Sequence, residues 1–213
     1  NVLNDLFLEA TLSEAKTRLL IPATDIANGK IHIFRSSYHP HYTRDLNVKV
    51  SDALLASCSA PSYFSPTQID IHLLSDGGLW ANNPSLLAIN EAMTNLGAER
   101  QQIRLLSIGT GNNIDFNQTH SHSHSKKPWN LSGLGLLKLI PMLLNLHEMT
   151  ILNATQLLLE KNQFVRIDFD ATPSVSFDSL NAIDTLIKQA NTDFMDHYPE
   201  IQQLFLETQR TLQ

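Results

Sequence analysis

Apolar and polar positions along this chain alternate in short runs and recur at helical spacing in longer ones, and the order of the two patterns predicts its elements. Residues 3–18 carry apolar positions at near-helical spacing and predict a helix or a helical approach. Leu19-Leu20-Ile21-Pro22-Ala23 predicts a buried strand, with Pro22 placing it at a sheet edge because proline gives no N–H to a ladder. Asn28-Gly29 predicts a tight hairpin, since both central positions of a type I′ turn take positive φ. It leads into Lys30-Ile31-His32-Ile33-Phe34-Arg35, which sets Ile31, Ile33 and Arg35 on one face and His32 and Phe34 on the other.

The small-residue run 51–58 predicts a short helix that ends at Ala60-Pro61, because the residue before proline avoids the helical region. Ile69, Ile71 and Leu73 alternate with Asp70 and His72 and predict one strand that delivers Asp76 at its exit. Asn83-Pro84 predicts a helix start, asparagine capping and proline taking the first helical position. Leu86, Ile89, Met93 and Leu96 form the expected inward face of that helix, and Gly97 its end. Residues 103–108 form the next strand, running into Gly109-Thr110-Gly111. Strand, helix, strand in this order predicts a crossover unit and a parallel pair, hence an α/β fold. Residues 112–127 read as a polar loop. Residues 131–160 are apolar and helical in pattern, with Pro141 expected to break them in two. Residues 164–169 predict a further strand. Asp178 or Ser179 is the expected cap of a last helix bearing Leu180, Ile183, Ile187 and Ala190.

Composition narrows the picture. The 213 residues are 42% hydrophobic and 17% charged, as in a folded domain, and net charge −6 leaves no electrostatic case for nucleic acid. Cys58 is the single cysteine, so no intrachain disulfide forms, and a buried structural thiol is the expectation. No apolar run reaches the roughly 20 residues needed to span a bilayer, and no signal-peptide pattern is visible, which leaves cytoplasmic and secreted locations both open. The chain begins Asn1-Val2-Leu3 without an initiating methionine, so a processed product or the C-terminal part of a longer protein is expected.

The chemistry concentrates in Ser75-Asp76-Gly77-Gly78, followed by Asn82-Asn83-Pro84. One carboxylate ends an apolar strand, and Gly77 and Gly78 leave room for a reacting group beside it. A positioned carboxylate can accept a proton from an alcohol that would otherwise be a poor nucleophile. The plain alternative is a turn, since aspartate and glycine are common turn residues. Gly109-Thr110-Gly111 reads as a tight turn in preference to an anion nest, because the phosphate-loop lysine is missing. His120, His122 and His124 alternate with serines, but a solvated loop is the better reading and no metal is expected. The leucine-rich stretch 131–146 reads as core helix, with a lid or lipid-facing surface as the alternative.

Several pieces together resemble one family. They are Pro22-Ala23-Thr24-Asp25 with Phe34-Arg35, Ala56-Ser57-Cys58-Ser59-Ala60-Pro61-Ser62-Tyr63-Phe64, Asp76-Gly77-Gly78 with Asn82-Asn83-Pro84, Leu106-Ser107-Ile108-Gly109-Thr110-Gly111, and Phe164-Val165-Arg166-Ile167. In order and spacing the chain resembles the C-terminal two thirds of a patatin-like phospholipase domain, with residues 1–213 as part of that single domain. The resemblance implies a three-layer α/β/α fold and a lipid acyl hydrolase with a Ser–Asp dyad, needing no cofactor. It implies Asp76 as the catalytic carboxylate, with Gly77, Gly78, Asn83 and Pro84 supporting the motif. The family's Gly-x-Ser-x-Gly serine and its glycine-rich oxyanion loop have no counterpart here. Leu131-Ser132-Gly133-Leu134-Gly135 is out of register. The implied partners are a phospholipid or other lipid acyl ester, an upstream segment carrying the serine, and a membrane surface. The alternative is a non-catalytic lipid- or protein-binding scaffold on the same fold.

Overall fold

The computed structural model describes residues 2–111, 133–169 and 179–207, and the chain divides into two units, residues 1–96 and 97–213. The first contains α1 (Val2–Phe7), β1 (Leu20–Asp25), β2 (Lys30–Arg35), α2 (Val50–Ser57), β3 (Thr67–Ile69), β4 (His72–Asp76), α3 (Gly78–Ala81) and α4 (Ser85–Thr94). The second contains β5 (Leu105–Ile108), α5 (Gly133–Leu158), β6 (Phe164–Ile167) and α6 (Ile183–Ile201). This mixture of helices and sheets is the α/β class that the strand–helix alternation predicts.

In the first unit the strands form one antiparallel sheet in the order β2-β1-β4-β3. The edge position expected from Pro22 is wrong: β1 is internal. It pairs with β2 along its whole length, from Leu20↔Arg35 to Asp25↔Lys30, but with β4 only from Ala23 onward. Pro22 therefore sits just beyond the reach of β4, where no ladder hydrogen bond is asked of it. The hairpin at Asn28-Gly29 forms, but residues 26–29 all lie in the connection and Gly29 alone there has positive φ, +61°. Asp25 explains the longer turn, its carboxylate accepting from the Asn28 amide N–H (3.2 Å) and side-chain Nδ2 (2.9 Å).

The single strand expected over 69–73 is two strands. Asp70, at φ +50°, turns the chain so that Ile69 pairs with His72, and Ile71 at the tip is 85% exposed. Helix over 3–18 is likewise too long: α1 stops at Phe7, Leu8 takes φ +52°, and a 3-10 turn follows at Leu12–Glu14. Along α4 only Ile89 of the expected apolar face is fully buried, while Met93 and Leu96 stay exposed.

The core of this unit is Leu12, Ile21, Ala23, Phe34, Val50, Ala53, Ala56 and Leu74. Ala53 and Ala56 present no bulk, which lets α2 lie close against β1 and β4.

In the second unit β5 and β6 pair in parallel, Leu105↔Phe164 to Ile108↔Ile167, with α5 in the crossover between them. The parallel pair expected between the strand before α4 and the strand after it is not the one observed, because β4 and β5 belong to different sheets. The expected break at Pro141 does not occur; α5 is one helix from Gly133 to Leu158. Asp178 lies outside the described residues, and Ser179 precedes a 3-10 turn (Leu180–Ala182) without a side-chain capping bond, so α6 starts later, at Ile183. No described helix is long and apolar enough to cross a membrane.

Two predictions follow from this packing. Phe34 is fully buried in the centre of the core, so Phe34→Ala should lower the unfolding free energy by about 3–5 kcal/mol in a denaturant titration. The second concerns acid. Burial, and then the neighbouring Arg44 guanidinium, push the His32 pKa down from 6.5 to about 4. Hydrogen bonds from Asn28 and then His72 hold the Asp25 pKa down at about 2. For both groups the unfolded chain binds protons at a higher pH than the folded one, so stability falls as pH drops. His32 acts between pH 6.5 and about 4, and Asp25 from 3.8 toward 2. Thermal unfolding should show a falling Tm across both windows, and His32→Gln should flatten the upper one.

Candidate active site at the end of β4

Helix α2 ends on Ser57-Cys58-Ser59, and its last carbonyls determine where β4 goes. The Asp76 N–H donates to Ser59 O (3.1 Å) and the Gly77 N–H to Ser57 O (3.2 Å), so the chain leaves the β1 ladder and turns toward the helix. Ser75 Oγ donates to the same Ser59 carbonyl (2.7 Å). Ser59, fully buried, donates its own hydroxyl to Leu55 O (2.6 Å). Ser57 Oγ donates to Pro22 O (2.7 Å), tying the helix end to β1.

Gly77 lies flat against that same Pro22 carbonyl. A Cβ at Gly77 would stand 2.2 Å from Pro22 O, so close backbone approach requires glycine here. A Cβ at Gly78 would stand 2.9 Å from Asp76 Oδ1 and 3.4 Å from Asn82 Oδ1. The Gly78 N–H instead donates to Asp76 Oδ1 (2.6 Å) as α3 begins. Asp76 is partly exposed, and among the described residues Oδ1 alone carries a hydrogen bond. The result is a carboxylate on a strand-to-helix turn with one oxygen held and the other open.

Asn83 and Pro84 lie at the start of α4. Asn83 is buried and its Oδ1 accepts from the Ser85 N–H (3.1 Å), while Pro84 occupies the cap position one residue before the first helical one. Asn83 Nδ2 is buried without a partner among the described residues. Further along α4, buried Glu91 accepts from Arg35 (3.3 Å to Nη2), Tyr38 (2.9 Å) and Tyr42, which fastens the helix to β2 and the segment after it. Burial alone would raise the Glu91 pKa; the hydrogen bonds from Tyr42, Tyr38 and Arg35 outweigh it and hold the group ionised.

Other candidates resolve differently. Cys58 is exposed, contrary to the buried thiol expected, because it lies past the last turn of α2. Partial desolvation of its sulfur, and then the charge of Asp76, push its pKa up, the opposite of an activated nucleophile. Gly109-Thr110-Gly111 packs closely against the residues that follow β6. The Gly111 N–H donates to Asp168 Oδ1 (3.1 Å), and a Cβ at Gly109 would fall 2.4 Å from the Asp168 carboxylate. The tract His120–His124 and Leu131 lie outside the described residues. Of the leucine-rich stretch, Leu143 and Leu146 are half exposed. Among the described residues no group of three or more His, Cys, Asp or Glu could hold a metal ion.

Residues 1–89 match the patatin-like phospholipase family. A cGAMP-activated phospholipase of Vibrio cholerae is 34% identical over 110 residues, 48% of this chain and 31% of that protein. A cGAMP-activated phospholipase of Escherichia coli is 35% identical over 150 residues, 65% of this chain and 42% of that protein. Patatin-like protein 1 of Arabidopsis thaliana is 31% identical over 134 residues, 52% of this chain and 31% of that protein. The chain spans between about a third and two fifths of the length of these relatives. The patatin-like match covers the first unit as far as the middle of α4, including the turn that carries Asp76.

Sequence reasoning missed the groups that build the turn. Thr24 and Trp80 each make one hydrogen bond that shapes it and Ser57 and Ser59 two each, and only the run of serines and alanines after residue 50 signalled a close helix approach. Gly77→Ala should cost about 1–3 kcal/mol of stability by forcing its neighbours apart, measured by chemical denaturation.

Proposed function

We propose that this protein is a lipid acyl hydrolase in which Asp76 is the carboxylate of a Ser–Asp dyad. Polypeptide preceding Asn1 supplies the serine and the oxyanion donors, and both units belong to one patatin-like domain. The observation that carries this reading is the Asp76 carboxylate, with Oδ1 bonded to the Gly78 N–H at 2.6 Å and Oδ2 open. The family match at residues 1–89, and relatives named as phospholipases, support it.

In this mechanism Oδ2 accepts the serine hydroxyl proton as the serine oxygen attacks the ester carbonyl carbon. The proton passes to the leaving alkoxide as the acyl C–O bond breaks. Water then attacks the acyl-serine, gives its proton to Asp76, and releases the fatty acid while the serine is reprotonated. Glycerophospholipids or other lipid acyl esters are the substrates, met at a membrane surface, and no metal enters the scheme. Fixing Oδ1 leaves the proton-accepting oxygen in one orientation, which is where a positioned base gains over one free in solution.

The competing reading is a binding scaffold on the same fold that has lost its chemistry. Hydrolysis of soluble p-nitrophenyl esters by the full-length protein separates the two. Because two of the relatives described above are named for activation by cGAMP, the assay is run with and without that nucleotide. Asp76→Asn should lower the rate by about 10²–10⁴-fold while the unfolding transition stays in place. An undiminished rate in Asp76→Asn defeats the dyad, and a wild-type protein inert toward every ester under both conditions favours the scaffold.

A further inference from the structure

The direction of the Asp76 carboxylate is set by its backbone, and two side chains outside the Asp-Gly-Gly motif hold that backbone. Asp76 and Ala23 are register partners at the end of the β1–β4 ladder. The ladder stops there, because the Asp76 and Gly77 N–H groups are given to Ser59 and Ser57. The carbonyls at this end receive side-chain donors instead. Thr24 Oγ1 donates to Asp76 O (2.7 Å), and Trp80 Nε1 donates to Ala23 O (2.9 Å).

The Thr24 bond acts on the peptide that follows Asp76, and the Trp80 bond on the strand beside it. Asp76 O and Gly77 N belong to one planar peptide. Thr24 holds its oxygen and Ser57 O holds its nitrogen, so the plane cannot rotate without breaking one of them. With the Gly77 carbonyl in turn taken by the Trp80 and Ala81 N–H groups (3.2 and 2.8 Å), that plane sets where the next amide, Gly78 N–H, stands, and Gly78 N–H is the donor on Asp76 Oδ1. Trp80 lies in α3 itself, so its bond to β1 ties the helix that carries Gly78 to the strand beside Asp76. Loss of either bond lets the amide swing away from Oδ1 and frees the carboxylate to turn.

We propose that Thr24 and Trp80 are positioning residues that aim the Asp76 carboxylate, Thr24 through the Asp76–Gly77 peptide and Trp80 through α3. This rests on the reading of Asp76 as the dyad base. Both side chains are bonded to backbone, Thr24 to that of Asp76 and Trp80 to that of Ala23, so their effect should fall on kcat and leave KM nearly alone.

The test is steady-state ester hydrolysis by the full-length protein and its variants, with Tm measured in parallel. Thr24→Val keeps the shape and removes the donor; it should lower kcat roughly tenfold with KM within about twofold, since small misplacements of a catalytic group carry such losses. Thr24→Ser keeps the hydroxyl and should recover most of kcat. Trp80→Phe should behave as Thr24→Val does. In an Asp76→Asn background, Thr24→Val should cause little further loss, because its effect passes through a carboxylate that is no longer there. The proposal is overturned if Thr24→Val matches wild type, if Thr24→Ser loses as much as Thr24→Val, or if the losses track Tm. An Asp76→Asn enzyme with wild-type rate overturns the dyad and this inference together. A dead Asp76→Asn beside an unaffected Thr24→Val overturns this inference alone.

Discussion

The last four carbonyls of α2 have no partner within the helix, and the way each is satisfied decides where β4 turns. Leu54 O takes the Cys58 N–H, Leu55 O the Ser59 hydroxyl, and Ala56 O the Ser59 N–H. Ser57 O is left, and it takes the Gly77 N–H from the far strand. A helix end thus becomes the template for a strand end more than fifteen residues away in sequence. This works only if the helix lies very close to the sheet. Ala53 and Ala56 allow that on the helix side, and Gly77, pressed onto Pro22 O, allows it on the strand side.

The same arrangement accounts for Pro22 inside an internal strand. A proline there would normally forfeit a ladder bond. Here β4 has already left the sheet by that point, and the Pro22 carbonyl instead receives the Ser57 hydroxyl and lies under Gly77. Apolar packing fixes how far apart helix and sheet lie, and a few side-chain hydroxyls fix the angle at which the chain passes between them.

What the sequence made legible follows from range. Local signals held: Asn28-Gly29 marked a hairpin, the run after residue 50 a short helix, and the strand before Asp76 ended on that carboxylate. Asn83 does bond the start of α4, with the helix beginning one residue later than proline chemistry suggests. Failures came where tertiary contacts outvoted local pattern. Asp70, in the left-handed region, reverses the chain inside an unbroken alternation and makes Ile69 and His72 ladder partners. The Thr24 and Trp80 bonds had no sequence signal at all, since each joins residues more than fifty positions apart. Asp76 could be picked out; the groups that aim it could not.

In a proposed two-residue centre nothing stands between nucleophile and carboxylate. A histidine, where one is used, absorbs small errors by rotating its ring and passing orientation on to a third group. A carboxylate that accepts the proton directly has no such slack, so the backbone beneath it must be rigid. The Asp76 turn meets that demand with a peptide held at both ends and a helix tied to the neighbouring strand. Glu91 extends the demand outward: its three donors lock α4 to β2, so the helix following the turn is anchored by an ion pair and two phenols, not by apolar contact alone. Precision at one oxygen atom is thereby supported from three directions, through α2, β1 and α4. Around this turn the hydroxyls of Thr24, Ser57, Ser59 and Ser75 each donate to a backbone carbonyl, which offsets the cost of burying them.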